Sequence, residues 1–192
     1  MRGSGCMVRI ALVCVLIVCA GSAFADTIGE KAVVCSVCLG ANGIPEGRSI
    51  PIIWGQQAGY LYLDLRDFQK GARKNEVMTP IAQNLAREDL LALAEYFAAK
   101  PWPNTGAPAA SKADTAVAMA TNKSVVCTSC HLEQFQGDSS VPRLAGQQRD
   151  YLVKTMLDFR SRTRANNPGM SGLMNSCTPE QLTAMAAYLA GQ

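Results

Sequence analysis

Cys127-Thr128-Ser129-Cys130-His131 holds the only histidine of the 192-residue chain, and the reading of this stretch decides the fold. Two thiols at C-x-x-C spacing, followed at once by an imidazole, form the arrangement that attaches haem covalently. The sulfurs add to its two vinyl groups and the histidine meets the iron from one face. A second C-x-x-C stands upstream, Cys35-Ser36-Val37-Cys38, but Leu39 follows it. Leucine has no lone pair for a metal, and no other histidine can replace it. A structural zinc would need four nitrogen or sulfur ligands around the one histidine. A dithiol redox motif would call for a βαβ context that is not evident.

The two cysteine pairs are separated by 92 residues, and so are Met78 and Met170. Between these anchors Gly55-Gln56-Gln57, Tyr60-Leu61 and Asp67-Phe68 return as Gly146-Gln147-Gln148, Tyr151-Leu152 and Asp158-Phe159 at an offset of 91. A one-residue deletion and a later insertion cancel, so the chain is a duplicated unit. Residues 26–100 form the first copy, residues 101–113 a linker rich in proline and small side chains, and residues 114–192 the second copy. Each copy should carry a helix into its C-x-x-C, a long irregular loop, and a second helix over roughly 56–70 or 147–161. Leu61, Leu65 and Phe68, like Leu152, Met156 and Phe159, fall at helical spacing. An irregular stretch should hold the methionine, and a last helix should run from about Arg87 to Ala99 or from Pro179 to Ala190. Thr178 before Pro179 is a good N-cap. No strand pattern appears, so the fold class is all-α.

Residues 1–25 read as an export signal. Arg2 and Arg9 precede an apolar run from Ile10 to Ala20, and Ala23-Phe24-Ala25 gives a small-x-small cleavage pattern before Asp26. Eleven apolar residues fall short of the roughly 20 that span a bilayer; a retained anchor is the rival reading. Export implies a periplasmic location. Without Arg2 and Arg9 the 18 basic residues fall to 16 against 15 acidic, which argues against a nucleic-acid partner. Arg66, Lys70, Arg73 and Lys74 cluster, as do Arg160, Arg162 and Arg164. They read either as solvated helix ends or as a rim that steers an acidic redox partner. In an oxidising compartment Cys35 and Cys38 are expected to close a disulfide. Cys177, where the first copy has Leu85, is expected as a buried small hydrophobe, an intermolecular disulfide being the alternative.

Together these features resemble the tandem class I cytochromes c, most closely the dihaem cytochrome c4 family, over essentially the whole exported chain. The carriers are Cys127 to His131, Val141-Pro-Arg-Leu-Ala-Gly-Gln147, Asp158-Phe-Arg160, Asn167-Pro-Gly-Met170 and the closing Glu180-Gln-Leu helix. Pro51-Ile-Ile-Trp-Gly-Gln56 and the stretch from Asp67 to Met78 echo them. The resemblance implies two cytochrome c-like domains, each of about three main helices around a haem pocket. It also implies single-electron transfer to terminal oxidases or from periplasmic dehydrogenases. Attachment then falls to Cys127 and Cys130, with His131 and Met170 as iron ligands. Met170 is chosen for its register with Met78, and Met174 is the runner-up. Histidine–methionine ligation fills the iron's coordination sphere and points to electron transfer rather than catalysis. The protein would act as a free carrier or as a subunit of a redox complex, reaching a membrane only through a partner.

The first copy departs from that family at Leu39, so one covalent haem c is expected, not two. A unit of about 75 residues buries only a little over about 60% of its unfolded surface and leans on cofactor as core. Trp54 and Ile52 stand where the second copy has Ala145 and Arg143, and Trp54 with its neighbours is expected to fill the cofactor space. Two other functions stay open: a haem-based gas or peroxide sensor in which Met170 dissociates, and a dithiol module built on Cys35 and Cys38.

Overall fold

The computed structural model describes residues 22–192; the export segment expected over residues 1–25 lies outside the described residues up to residue 21. The described chain is helical, with no strand. α1 (Ser22–Leu39), α2 (Ala58–Gln69), α3 (Met78–Gln83) and α4 (Arg87–Ala98) belong to the first copy. α5 (Lys112–Val125), α6 (Thr128–His131), α7 (Arg149–Ser161), α8 (Pro168–Asn175) and α9 (Pro179–Ala190) belong to the second.

The closing helices bury the same register in both copies. Leu90, Leu93, Ala94 and Phe97 of α4 correspond to Leu182, Met185, Ala186 and Leu189 of α9, and all eight are buried. Leu182 and Leu189 are each 1% exposed, a burial that contributes about 2 kcal/mol apiece. Ala118 on α5 and Ala186 on α9 are fully enclosed, and both sit in the second copy's core. Small side chains there let the two helices approach closely. Thr178 caps α9 as expected, and Gln181 answers it to complete a capping box.

The helices depart from the sequence reading in three places. Met78 and Met170 lie on short helices, α3 and α8, rather than in irregular chain. Asn75 Oδ1 accepts from the backbone of Val77 and Met78, and Asn167 Oδ1 accepts from Met170 at 3.0 Å. Each asparagine thus starts a turn that the proline pattern alone does not announce. The second helices begin at Ala58 and Arg149, two residues late, because the glutamines before them are engaged elsewhere. Finally, α1 runs unbroken through Cys35 and Cys38, whereas α5 stops before its cysteines. Val126 adopts a left-handed conformation with φ 50°, which is costly for a β-branched residue. A separate turn, α6, then carries the attachment motif.

The loops after the two motifs trace similar backbones with different residues. Gly40 and Gly43 have positive φ after the first motif, and Leu132 and Phe135 have it in register after the second; Gly71 and Arg162, which follow α2 and α7, form a third matching pair. Glycine adopts this region freely and other residues pay strain for it. Gly43 also faces Trp54, since a Cβ there would lie 2.5 Å from the indole. The second copy reverses the sizes, with Phe135 against Ala145.

A pseudo-twofold interface joins the copies, built from the repeated glutamines. Gln56 Oε1 accepts from Arg143 N at 2.7 Å and Gln56 Nε2 donates to Arg143 O at 3.0 Å. Gln147 repeats both bonds on Ile52 N and O, at 2.8 and 2.9 Å. Gln57 Nε2 donates to Gln136 O at 3.1 Å, and Gln148 Nε2 to Pro45 O at 3.2 Å. Tyr60 N and Tyr151 N donate to Ser139 O and Arg48 O. Beside these bonds Asp64 holds both Arg73 and Arg164, the latter at 3.1 Å. Arg73 stacks over Phe68 and Arg164 over Phe159. The basic clusters are therefore neither wholly solvated nor wholly a rim, because Arg73 and Arg164 are drawn into the interface. Trp102 of the linker covers it, lying against Gly55 and Gly146 and under the Arg143 guanidinium.

Asp64→Ala leaves two largely buried guanidiniums without a carboxylate and is expected to cost about 3 kcal/mol. Chemical denaturation should show the lower midpoint. Lys154→Ala, which opens the exposed Lys154–Asp158 pair, should change stability by no more than about 0.5 kcal/mol. Equal midpoints for the two variants would remove the buried triad as a stabilising element.

Candidate haem site

The chemistry gathers where the strained loop leaves α5. Asn122 steers the chain into the motif: its backbone oxygen accepts from Val126 N at 2.7 Å and its side chain from Thr128 N at 3.2 Å. Cys127 is half-buried against the second core, Cys130 is exposed, and His131 is buried. The two thiols and the imidazole thus sit on one short turn, with the ring turned inward.

His131 Nδ1 lies 2.9 Å from Pro142 O. A carbonyl oxygen can only accept, so Nδ1 carries the proton and Nε2 keeps a free lone pair. Burial lowers the His131 pKa, and the Pro142 bond opposes this only in part. The ring is therefore neutral at physiological pH. A neutral imidazole with a fixed tautomer and an open Nε2 is a pre-set metal ligand. Burial likewise pushes the Cys127 thiol up, with Cys177 adding to the shift.

Met170 is half-buried on α8 and packs against the same core as Cys127, while Met174 is inside that core at 4% exposure. Ser171, next to Met170, is buried with no partner for its hydroxyl, alone in this among the described side-chain polar atoms. The polypeptide leaves this group unanswered, so its hydroxyl is free to meet a polar edge of a bound cofactor. Two thiols, one imidazole with an open nitrogen and a thioether packed on the same core as Cys127 are the donor types that haem c requires, and the residues of the second copy fit it in kind.

The first copy does not. Leu39 ends α1 at the histidine register and offers no donor. Cys35 and Cys38 are free thiols, like Cys127 and Cys130, rather than the expected disulfide. Cys35 packs inward against the first core, whereas Cys38 points out to solvent from the same continuous helix. Cys177 is buried, in keeping with its expected role as core. No helix among the described residues is long and apolar enough to cross a membrane. Among those residues, no group of three or more histidine, cysteine or acidic side chains is placed to hold a metal ion.

Sequence reasoning missed Pro142, whose carbonyl orients the histidine, and the four glutamines of the interface. Their signal was present in the exact return of Gly-Gln-Gln, since a polar pair kept in both copies marks a shared contact rather than a helix start.

The family model described as cytochrome c matches residues 117–192. A cytochrome c4 of Thiocapsa roseopersicina is 35% identical over 168 residues, covering 81% of this chain and 86% of that protein. A thiosulfate dehydrogenase electron acceptor of Stutzerimonas stutzeri (strain A1501) is 32% identical, covering 83% of this chain and 79% of that protein. The solved cytochrome c4 of Acidithiobacillus ferrooxidans matches with a TM-score of 0.75 at 28% identity, over 82% of this chain and 98% of that one.

Because the folded chain holds His131 neutral below its ordinary pKa of 6.5, the unfolded chain takes up a proton that the folded one refuses. Stability of the chain before cofactor attachment should be fully present above 6.5 and fall as pH drops through 6.5 toward the lowered folded value. His131→Gln should lose this component, giving a shallower decline between about pH 7.5 and about pH 5.5. Parallel pH profiles for the two proteins would mean that the ring is not held in its neutral form.

Proposed function

The chain belongs to the cytochrome c4 family, and on that footing we propose that it carries single electrons through one haem c, held by the second copy alone. The observation that supports this reading is the contrast at one register. His131 presents an open Nε2 beside two thiols, and Leu39 presents a hydrocarbon beside two others. When bound, haem c supplies a one-electron iron couple.

The chain's own residues do the rest. With haem c bound, Cys127 and Cys130 would hold it through their sulfurs, and His131 through Nε2 and Met170 through its thioether would be the ligands to its iron. Met174 stays in the core. Two protein ligands would leave the iron no open position for a substrate, which favours electron transfer over catalysis. Residues 26–100 form a haem-free domain, residues 101–113 the linker and residues 114–192 the haem domain. Export through residues 1–25 places the protein in the periplasm. Similarity to thiosulfate dehydrogenase electron acceptors supports a dehydrogenase as redox partner, a terminal oxidase being the alternative.

Iron and haem determined on the exported protein should give one equivalent per chain; two, or none, would overturn the reading. Met170→Ala should abolish the spectral signature of methionine ligation while Met174→Ala keeps it. The reduced wild-type protein should show no carbon monoxide shift at neutral pH. A shift would instead indicate an open iron, as a gas sensor requires.

A further inference from the structure

We infer that Gln56 and Gln57, which belong to the copy lacking an iron ligand, are positioning residues for His131 in the other copy. The inference rests on the proposed role of His131 as a haem ligand. Pro142 C=O and Arg143 N–H are the two ends of one peptide unit. Its oxygen accepts from His131 Nδ1 at 2.9 Å, and its N–H donates to Gln56 Oε1 at 2.7 Å. A chain of hydrogen bonds therefore runs across the interface, from a side chain of the first copy through one amide to the imidazole of the second.

Such chains polarise their members. An amide whose N–H is engaged has a more negative oxygen, which draws harder on the Nδ1 proton. A stronger bond at Nδ1 makes Nε2 a better electron donor to a metal. Gln56 is 3% exposed, so water does not compete for Arg143 N–H, and its amide is fixed by the second bond to Arg143 O. Gln57 grips the start of the same loop through Gln136 O and Gly137 O. Gly137 N in turn donates to His131 O at 3.0 Å. The loop that wraps the histidine is thus held at both ends by the neighbouring copy.

The pseudo-twofold axis supplies a matched control. Gln147 makes the same two bonds to Ile52, but the equivalent peptide, Pro51–Ile52, answers a copy with Leu39 at the ligand register. Both glutamines are buried in the same interface, and only one lies on a path to an imidazole.

The test measures the reduction potential of the full-length haem-loaded protein by spectroelectrochemical titration. Gln56→Ala should raise the potential, because a weaker donor stabilises the oxidised state less. Gln147→Ala should leave it at the wild-type value while lowering thermal stability by a similar amount. Gln56→Glu, which keeps an acceptor for Arg143 N–H, should fall nearer the wild type than Gln56→Ala does. A wild-type potential in Gln56→Ala overturns the inference. An equal shift in Gln147→Ala also overturns it, since the cause would then be a loosened interface. If His131→Ala keeps the wild-type spectrum and potential, the ligand assignment itself has failed, an outcome distinct from either.

Discussion

Two helical units can press their polar loops together only if the buried backbone of each is answered by the other, and one glutamine per copy gives that answer. Gln56 and Gln147 each satisfy both the N–H and the C=O of a single residue across the interface. An unanswered backbone group there would cost about 1–3 kcal/mol. These bonds fix where α2 and α7 can begin, and they fix the loops that follow the two cysteine motifs. Through those loops they reach the histidine. The order of dependence runs from interface to loop to site, not from site outward.

The contrast between the copies is chemical rather than architectural. Their loops share left-handed turns at matching positions, occupied by Gly40, Gly43 and Gly71 in one copy and by Leu132, Phe135 and Arg162 in the other. Strain in non-glycine residues is tolerated where surrounding structure over-determines the backbone, and in this chain it gathers around the complete motif. Trp54 over Gly43 and Phe135 beside Ala145 show the same exchange in volume, with the large and small partners trading places. This qualifies the expectation that Trp54 fills cofactor space, because its ring faces the position where the second copy places Phe135.

Much of this was legible in the sequence, and what was not has a common cause. The repeat register, the helical periodicity, the Thr178 cap and the lone histidine are local or periodic signals, and they give the all-α tandem plan directly. The clamp glutamines act across 87 and 95 residues, where no local pattern points to the partner. Arg73 and Arg164 read as surface charge because a guanidinium is almost never buried unless paired. Their shared carboxylate, Asp64, stands nine residues from one and 100 from the other. The methionine helices were missed for the opposite reason: a single asparagine side chain starts each of them, and glycine and proline nearby suggested irregular chain.

An interface carried by backbone groups has a consequence for the unequal copies. The clamp on the first copy reads Ile52 N and O, and neither depends on which side chain stands at 39 or 54. Leucine at 39 therefore leaves the docking bonds of that copy intact. The reverse does not hold. Gln56 and Gln57 face the loop around His131, so removing the first copy would strip the second of the partners that hold that loop. On the one-haem reading, a copy that no longer binds cofactor keeps a reason to remain folded. It completes the hydrogen bonding of a site that it does not itself contain, and the two halves cannot be separated without exposing the peptide that orients the ligand.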